Sequence, residues 1–330
     1  MSLPKIEIED VGIYECTGDD TILRAALRAG LGFPYSCNVG SCGTCRFQLI
    51  EGEVEHLRPD PPAWSDRDRA RGRWLGCQAR PLHDCLIRVR TGDEVPPHLP
   101  VRRGGRLTGA DAMTHDMREF RFAMDGPDHF LPGQYALLDL EGVQGARPYS
   151  MSNLPGSGEW HFLIKQVPGG AATEILSNHL APGDPVRIDG PYGLAYLRED
   201  RLRDLLLVAG GSGLSPMISI ARAAATSHRQ RHIYFFYGGR RPRDLCAESL
   251  LADLPGFGER ITLVSAVSEA SAGWDGHEGF IHEVVRIEMG HLLADVEVYF
   301  AGPPPMTQAM QHMLHQAGVG PERIHYDEFF

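Results

Sequence analysis

The 330 residues are 42% hydrophobic and 23% charged, which excludes a disordered or fibrous chain, and the length predicts two or three domains of roughly 100 to 150 residues. The formal net charge of −11 is spread evenly, leaving no basic face for nucleic acid. The opening MSLPKIEIED has no basic stretch followed by an apolar core, and the longest apolar run, Leu205 to Ala225, is broken by Gly-Gly-Ser-Gly and Pro216, so a cytoplasmic protein with no membrane contact is expected.

Three of the seven cysteines, Cys37, Cys42 and Cys45, fall in CNVGSCGTC, and Cys77 comes later in LGCQAR. The C-x4-C-x2-C spacing with a distant fourth cysteine is the plant-type [2Fe-2S] pattern. Four thiolates must converge on two irons, and Gly40 and Gly43 let the backbone wrap close enough to donate N–H groups to the sulfurs. Structural zinc more often shows paired C-x2-C arms. Cys16, Cys85 and Cys246 have no partner at ligand spacing and are assigned no role.

The stretch Thr91 to Gly105, with three prolines and clustered charge, reads as a linker. A first domain, 1–95, ends within it, and residues 96–105 form the linker proper. Residues 106–200 show short alternating segments, EFRFAM, QYALLDL and WHFLIKQV, punctuated by turns, the pattern of an antiparallel β-barrel. From 201 to 330 continuous apolar runs, LLLVAG, HIYFFYGG, ITLVSAV and VEVYFAG, alternate with helical segments, predicting an α/β domain on a parallel sheet. Such a sheet binds ligands beyond the carboxyl ends of its strands.

Gly210, Gly211, Ser212 and Gly213 come after LLLVA and precede a helix, where backbone N–H groups and the helix dipole favour a pyrophosphate. Asp244, in RRPRDL, can accept from ribose hydroxyls and favours NADH over NADPH. Arg240, Arg241 and Arg243 around it can instead meet a 2′-phosphate. Lys165, one of two lysines among 32 basic residues, is a phosphate or ribose contact or a solvated strand charge.

The segment from Asp20 to Glu55, with LGCQA later, resembles β-grasp ferredoxin domains, which implies Cys37, Cys42, Cys45 and Cys77 as the cluster ligands. RPYSMSN, from Arg147 to Asn153, resembles the flavin motif of the ferredoxin-NADP reductase superfamily. The resemblance implies Arg147 on the FAD pyrophosphate, Tyr149 against the isoalloxazine, Ser150 near the flavin N5, and Gly170 to Thr173 as a phosphate turn. FYGGRRPRDL and YFAGPPPM resemble the same superfamily's nicotinamide lobe, which places Arg240, Gly302 and Pro303 at the coenzyme. A cysteine common before that Gly-Pro pair is here Ala301. The ending HYDEFF resembles the family's acidic-x-aromatic terminus and puts Phe329 over the flavin, with Phe330 as alternate. The other reading is that both plug a seam between lobes.

The order of the three units resembles the reductase components of bacterial multicomponent aromatic oxygenases, of the carbazole dioxygenase and toluene monooxygenase kinds. It implies electron flow from NADH to FAD to [2Fe-2S] to an oxygenase or its Rieske ferredoxin. A competing class is an electron carrier or redox sensor whose nicotinamide lobe no longer turns over, a reading to which Ala301 lends itself.

Overall fold

The computed structural model describes residues 3–92, 94–227 and 231–330. The first unit is a five-stranded sheet in the order Gly12–Glu15, Lys5–Ile8, Cys85–Arg88, Arg46–Glu51, Arg73–Leu75. Lys5–Ile8 runs parallel to Cys85–Arg88 and antiparallel to its other neighbour, and helix Ile22–Arg28 buries Ile22, Leu23 and Ala26 completely, giving the β-grasp arrangement. A seven-residue helix is marginal alone. It is held by that apolar burial and by Thr21, whose side chain accepts the Arg24 N–H at 3.3 Å.

The second unit is a six-stranded antiparallel sheet in the order Arg147–Ser150, Tyr135–Asp139, Pro185–Tyr192, Val101–Ala112, Met117–Met124, Glu159–Lys165. A bridge between Met151 and Phe162 brings its two ends together, nearly closing the barrel. Residues 101–105, expected in the linker, instead begin the first barrel strand and pair with 186–190. The two glycines there mark close packing rather than flexibility: a Cβ on Gly105 would stand 2.7 Å from Ile188 Cδ1, and one on Gly104 would meet the Asp125 carboxylate.

The third unit is a six-stranded parallel sheet in the order His277–Glu278, Ile261–Val267, Ile233–Gly239, Leu205–Gly210, Glu297–Gly302, Ile324–Glu328. Every residue of Leu205–Gly210 and Glu297–Gly302 is buried, because helices cover both faces. The chain leaves Leu205–Gly210 first toward one side of the sheet and later toward the other, so the switch point lies at its carboxyl end. The terminal strand Ile324–Glu328 was not evident from sequence, since IHYDE has neither an apolar run nor strict alternation.

Tyr135, Leu137 and Tyr192 of the barrel share one apolar core with the β-grasp unit. Among the described residues no helix is long and apolar enough to cross a membrane.

Candidate functional site

A cleft of about 2260 Å³ runs from the cysteine loop, past the strand Arg147–Ser150, to the glycine turn after Leu205–Gly210. At its first end Cys37, Cys45 and Cys77 are buried and Cys42 is partly exposed. Gly40 and Gly43 take φ of 85° and 78°, a conformation that favours glycine. The loop so formed turns N–H groups onto sulfur: Ser41 and Cys42 each donate to Cys37 Sγ at 3.4 Å, and Thr44 donates to Cys42 Sγ at 3.5 Å.

The thiols interact in two pairs. A hydrogen bond from Cys37 holds Cys42 down at about 5, and one from Cys77 lowers Cys45. Among the described residues the one group of three or more potential ligands within 4.8 Å of one another is His115, Asp116 and Asp244, so the sulfurs do not converge on a single point as around zinc. Two thiol pairs, with backbone donors on the Cys37–Cys42 pair, fit a two-iron cluster.

Midway along the cleft, Arg147, Tyr149 and Ser150 lie on one strand and line the wall together. Arg147 Nη1 donates to the carbonyls of Gln144 and Gly145 at 3.1 and 2.9 Å, shaping the loop before the strand. Burial pushes the Tyr149 phenol up to about 12, so it presents an uncharged aromatic face. Gly170 is the N-cap of helix Ala171–Asn178 and also lines the cleft. The Thr173 hydroxyl is used within that turn, accepting from Val167 N at 3.2 Å and donating to Gly170 O at 3.0 Å, which leaves the backbone N–H groups at the helix start for a phosphate. Lys165 Nζ pairs with Asp116 Oδ2 at 3.1 Å. Asp116 thus has a lysine as its partner, with His115 3.5 Å from Asp116 and 3.7 Å from Asp244.

At the coenzyme end Gly210, Gly211 and Ser212 line the cleft, as does Pro303. Asp244 Oδ2 accepts from the N–H groups of Arg240 and Arg241 at 3.2 and 2.9 Å, while Oδ1 stands 3.7 Å from His115 Nδ1. Arg241 is tied to Glu269 at 2.8 Å, and the Arg240 side chain is exposed. Phe329 and Phe330 both reach the cleft, Phe329 half-buried and anchored by its N–H on Gly302 O at 2.9 Å, Phe330 largely exposed.

Three domain models match the chain: a 2Fe-2S iron-sulfur cluster binding domain over residues 6–82, an oxidoreductase FAD-binding domain over 105–196, and an oxidoreductase NAD-binding domain over 207–312. A ferredoxin–NAD(P)+ reductase of Metapseudomonas resinovorans is 38% identical over 331 residues, 99% of each chain. The reductase component of a naphthalene 1,2-dioxygenase/salicylate 5-hydroxylase system of Ralstonia is 35% identical over 297 residues, 90% of this chain and 89% of the relative. The solved ferredoxin reductase of carbazole 1,9a-dioxygenase superposes with a TM-score of 0.92 at 35% identity, over 100% of this chain and 99% of that one. This chain belongs to the ferredoxin–NAD(P)+ reductase family.

Two glycines of this reductase, Gly213 and Gly302, were expected at the coenzyme and do not line the cleft. A Cβ on Gly213 would stand 2.0 Å from the Ala301 carbonyl oxygen, and one on Gly302 would stand 2.8 Å from Met306 Sδ. Both are small because backbone and side chains pack against them beneath the turn. Ala301 itself is fully buried.

The reductase also uses residues that sequence reasoning missed. Ser215 Oγ donates to the Ser150 carbonyl at 2.6 Å and accepts from Leu163 N at 3.2 Å, tying the Arg147–Ser150 strand to the NAD-binding lobe. Ser219 Oγ and Arg222 Nη1 add donations to the carbonyls of Asn153 and Ser152, at 2.8 and 2.9 Å. Their spacing of three and four residues, on one helix face, is the signal that marks them.

Proposed function

We propose that this reductase oxidises NADH and supplies electrons, one at a time, to an aromatic-ring oxygenase or to a Rieske ferredoxin that serves one. The observation that carries the reading is the single cleft, in which the glycine turn of the coenzyme lobe, the Arg147–Ser150 strand and the Ser36–Cys37 loop all meet. FAD would lie along that strand and [2Fe-2S] would be held by Cys37, Cys42, Cys45 and Cys77. When bound, these groups supply the conversion of a two-electron hydride donor into single electrons.

The chain's own residues do the rest. Ser150 stands on the wall shared with the coenzyme lobe, Tyr149 offers its ring, and the N-terminus of Ala171–Asn178 offers donors to a phosphate. Asp244, with Oδ1 free of the backbone bonds that occupy Oδ2, favours the ribose of NADH. Phe329 covers the flavin from the coenzyme side. We divide the chain at 1–95, 106–200 and 201–330, with Val101 to Gly105 assigned to the barrel strand. Cysteines spaced to hold iron, and the use of a nicotinamide reductant, support a cytoplasmic setting.

The test is anaerobic addition of NADH to the purified holoenzyme. Bleaching of flavin and cluster, and then reduction of cytochrome c in excess, is the expected result. A protein that binds NADH and transfers no electron is the carrier or sensor instead.

A further inference from the structure

Between the Arg147–Ser150 strand and the cysteine loop stands a residue paired in register with the first and hydrogen-bonded through its side chain to the second. Tyr135 faces Ser150 in the antiparallel ladder. Met151 N–H bonds the Gln134 carbonyl at 3.1 Å, which makes Gln134 and Met151 the hydrogen-bonded pair and Tyr135 and Ser150 the adjacent non-bonded pair. In that kind of pair the opposed side chains lie closest and on the same face of the sheet. Both residues line the cleft.

The Tyr135 hydroxyl then donates to the carbonyl of Ser36, the residue covalently joined to Cys37. The tyrosine is 4% exposed. Its ring lies 5.9 Å from that of Tyr192, and Tyr35, 6.3 Å beyond Tyr192, accepts the Gly193 N–H through its hydroxyl at 2.9 Å. Burial raises the Tyr135 phenol well above its ordinary range, so the hydroxyl remains a protonated donor.

We propose that Tyr135 is the coupling residue through which electrons pass from the flavin site to the cluster loop. Tunnelling decays more slowly through covalent and hydrogen bonds than across an open gap, and the route Ser150, Tyr135, Ser36, Cys37 crosses one side-chain contact and one hydrogen bond. One electron leaves the flavin side and one arrives at the cluster. No bond to Tyr135 breaks, its proton stays on the hydroxyl, and the residue is neither oxidised nor reduced. The proposal rests on the proposed function, in which FAD lies against Arg147–Ser150.

The experiment is Tyr135→Phe in the holoenzyme, which removes the hydroxyl and keeps the ring. Stopped-flow mixing with NADH should show flavin bleaching at the wild-type rate and a cluster bleaching step slowed several-fold. The cluster midpoint potential, by redox titration, and hydrogen exchange of the amides 36–42 should both stay at wild-type values. An unslowed cluster step overturns the proposal. So does a slowed step accompanied by a shifted potential or faster exchange, which makes Tyr135 a brace for the loop and not a coupling. Failure of NADH to bleach the flavin in the wild-type protein is a different result, and sinks the proposed function itself.

Discussion

Arg28 and Asp189 face each other across the junction of the first two units, Nη1 and Nη2 reaching the two carboxylate oxygens at 2.9 and 2.8 Å. Arg28 Nε also donates to Asp20 at 2.9 Å, and Nη1 to the Pro100 carbonyl at 2.9 Å. One guanidinium on helix Ile22–Arg28 thus bolts the iron–sulfur unit to a barrel strand. Burial disfavours ionisation of Asp189, but the Arg28 hydrogen bonds outweigh it and hold the carboxyl below its ordinary range.

Arg28→Met should therefore cost about 3 kcal/mol, the low end for losing one partner of a buried pair, because the Arg28 side chain is 24% exposed and Arg102 Nε remains 3.6 Å from Asp189. Asp189→Asn combined with Arg28→Met should recover part of it. A depressed carboxyl contributes stability above its unfolded value of about 3.9 and loses it as pH falls through the folded value, so the wild-type advantage should shrink below about pH 4. Denaturant unfolding at pH 7 and pH 3.5 measures both, and equal losses at the two pH values would contradict the account.

Cys77→Ser removes one thiolate of the Cys45 pair and should take the protein from about two irons per chain to a substoichiometric content. NADH-dependent flavin bleaching should continue, because the Arg147–Ser150 strand and the coenzyme lobe meet through Ser215 without the cysteine loop. Iron analysis and anaerobic spectra decide it. Loss of flavin bleaching in a folded variant would show that the units are not separable.

Phe329→Ala leaves the terminal strand in place, since the tail is anchored by the Phe329 backbone N–H on Gly302. Removing the ring should alter the KM for NADH and raise peroxide formation in air, with FAD retained. If the only change is a lower Tm, by about 2 to 4 °C per kcal/mol, the ring is a plug against the coenzyme-lobe core, with which it also packs.

Coenzyme choice should favour NADH by at least about tenfold in kcat/KM, a difference of roughly 1.4 kcal/mol in transition-state binding. Asp244→Asn keeps an acceptor for the Arg240 and Arg241 N–H groups and removes the charge that repels a 2′-phosphate. The ratio should narrow, chiefly through a lower KM for NADPH. A wild-type ratio at or below one refutes the preference.

Asp327, on the terminal strand opposite Ala301, lines the cleft, and burial pushes its carboxyl up to about 7. An acid with a raised folded value contributes stability that is whole below its unfolded value of about 3.9 and is lost as pH rises through 7. Asp327→Asn should melt a few degrees above wild type at pH 8, with the gain fading toward pH 4. Thermal scans across that range test it. A pH-independent difference would mean that the carboxyl ionises normally in the fold.

The sequence alone determined the spacing of the cysteine loop and the order of the units. Cys37, Cys42 and Cys45 lie within one loop whose glycines set its path, so spacing carries their geometry, and the apolar runs of Leu205–Gly210 and Glu297–Gly302 declare a covered parallel sheet by composition. Only the tertiary structure decided how these parts face each other. Tyr135 and Ser36 are 99 residues apart and Ser215 and Ser150 are 65 apart, with no local pattern to announce either bond. Gly213 shows the limit from the other side. Its place in a glycine turn suggested a ligand contact, yet its small size is required by the Ala301 backbone, from a strand far along the chain. Local chemistry is written in neighbours along the chain, whereas the cleft is made by surfaces that meet only when the three units have packed.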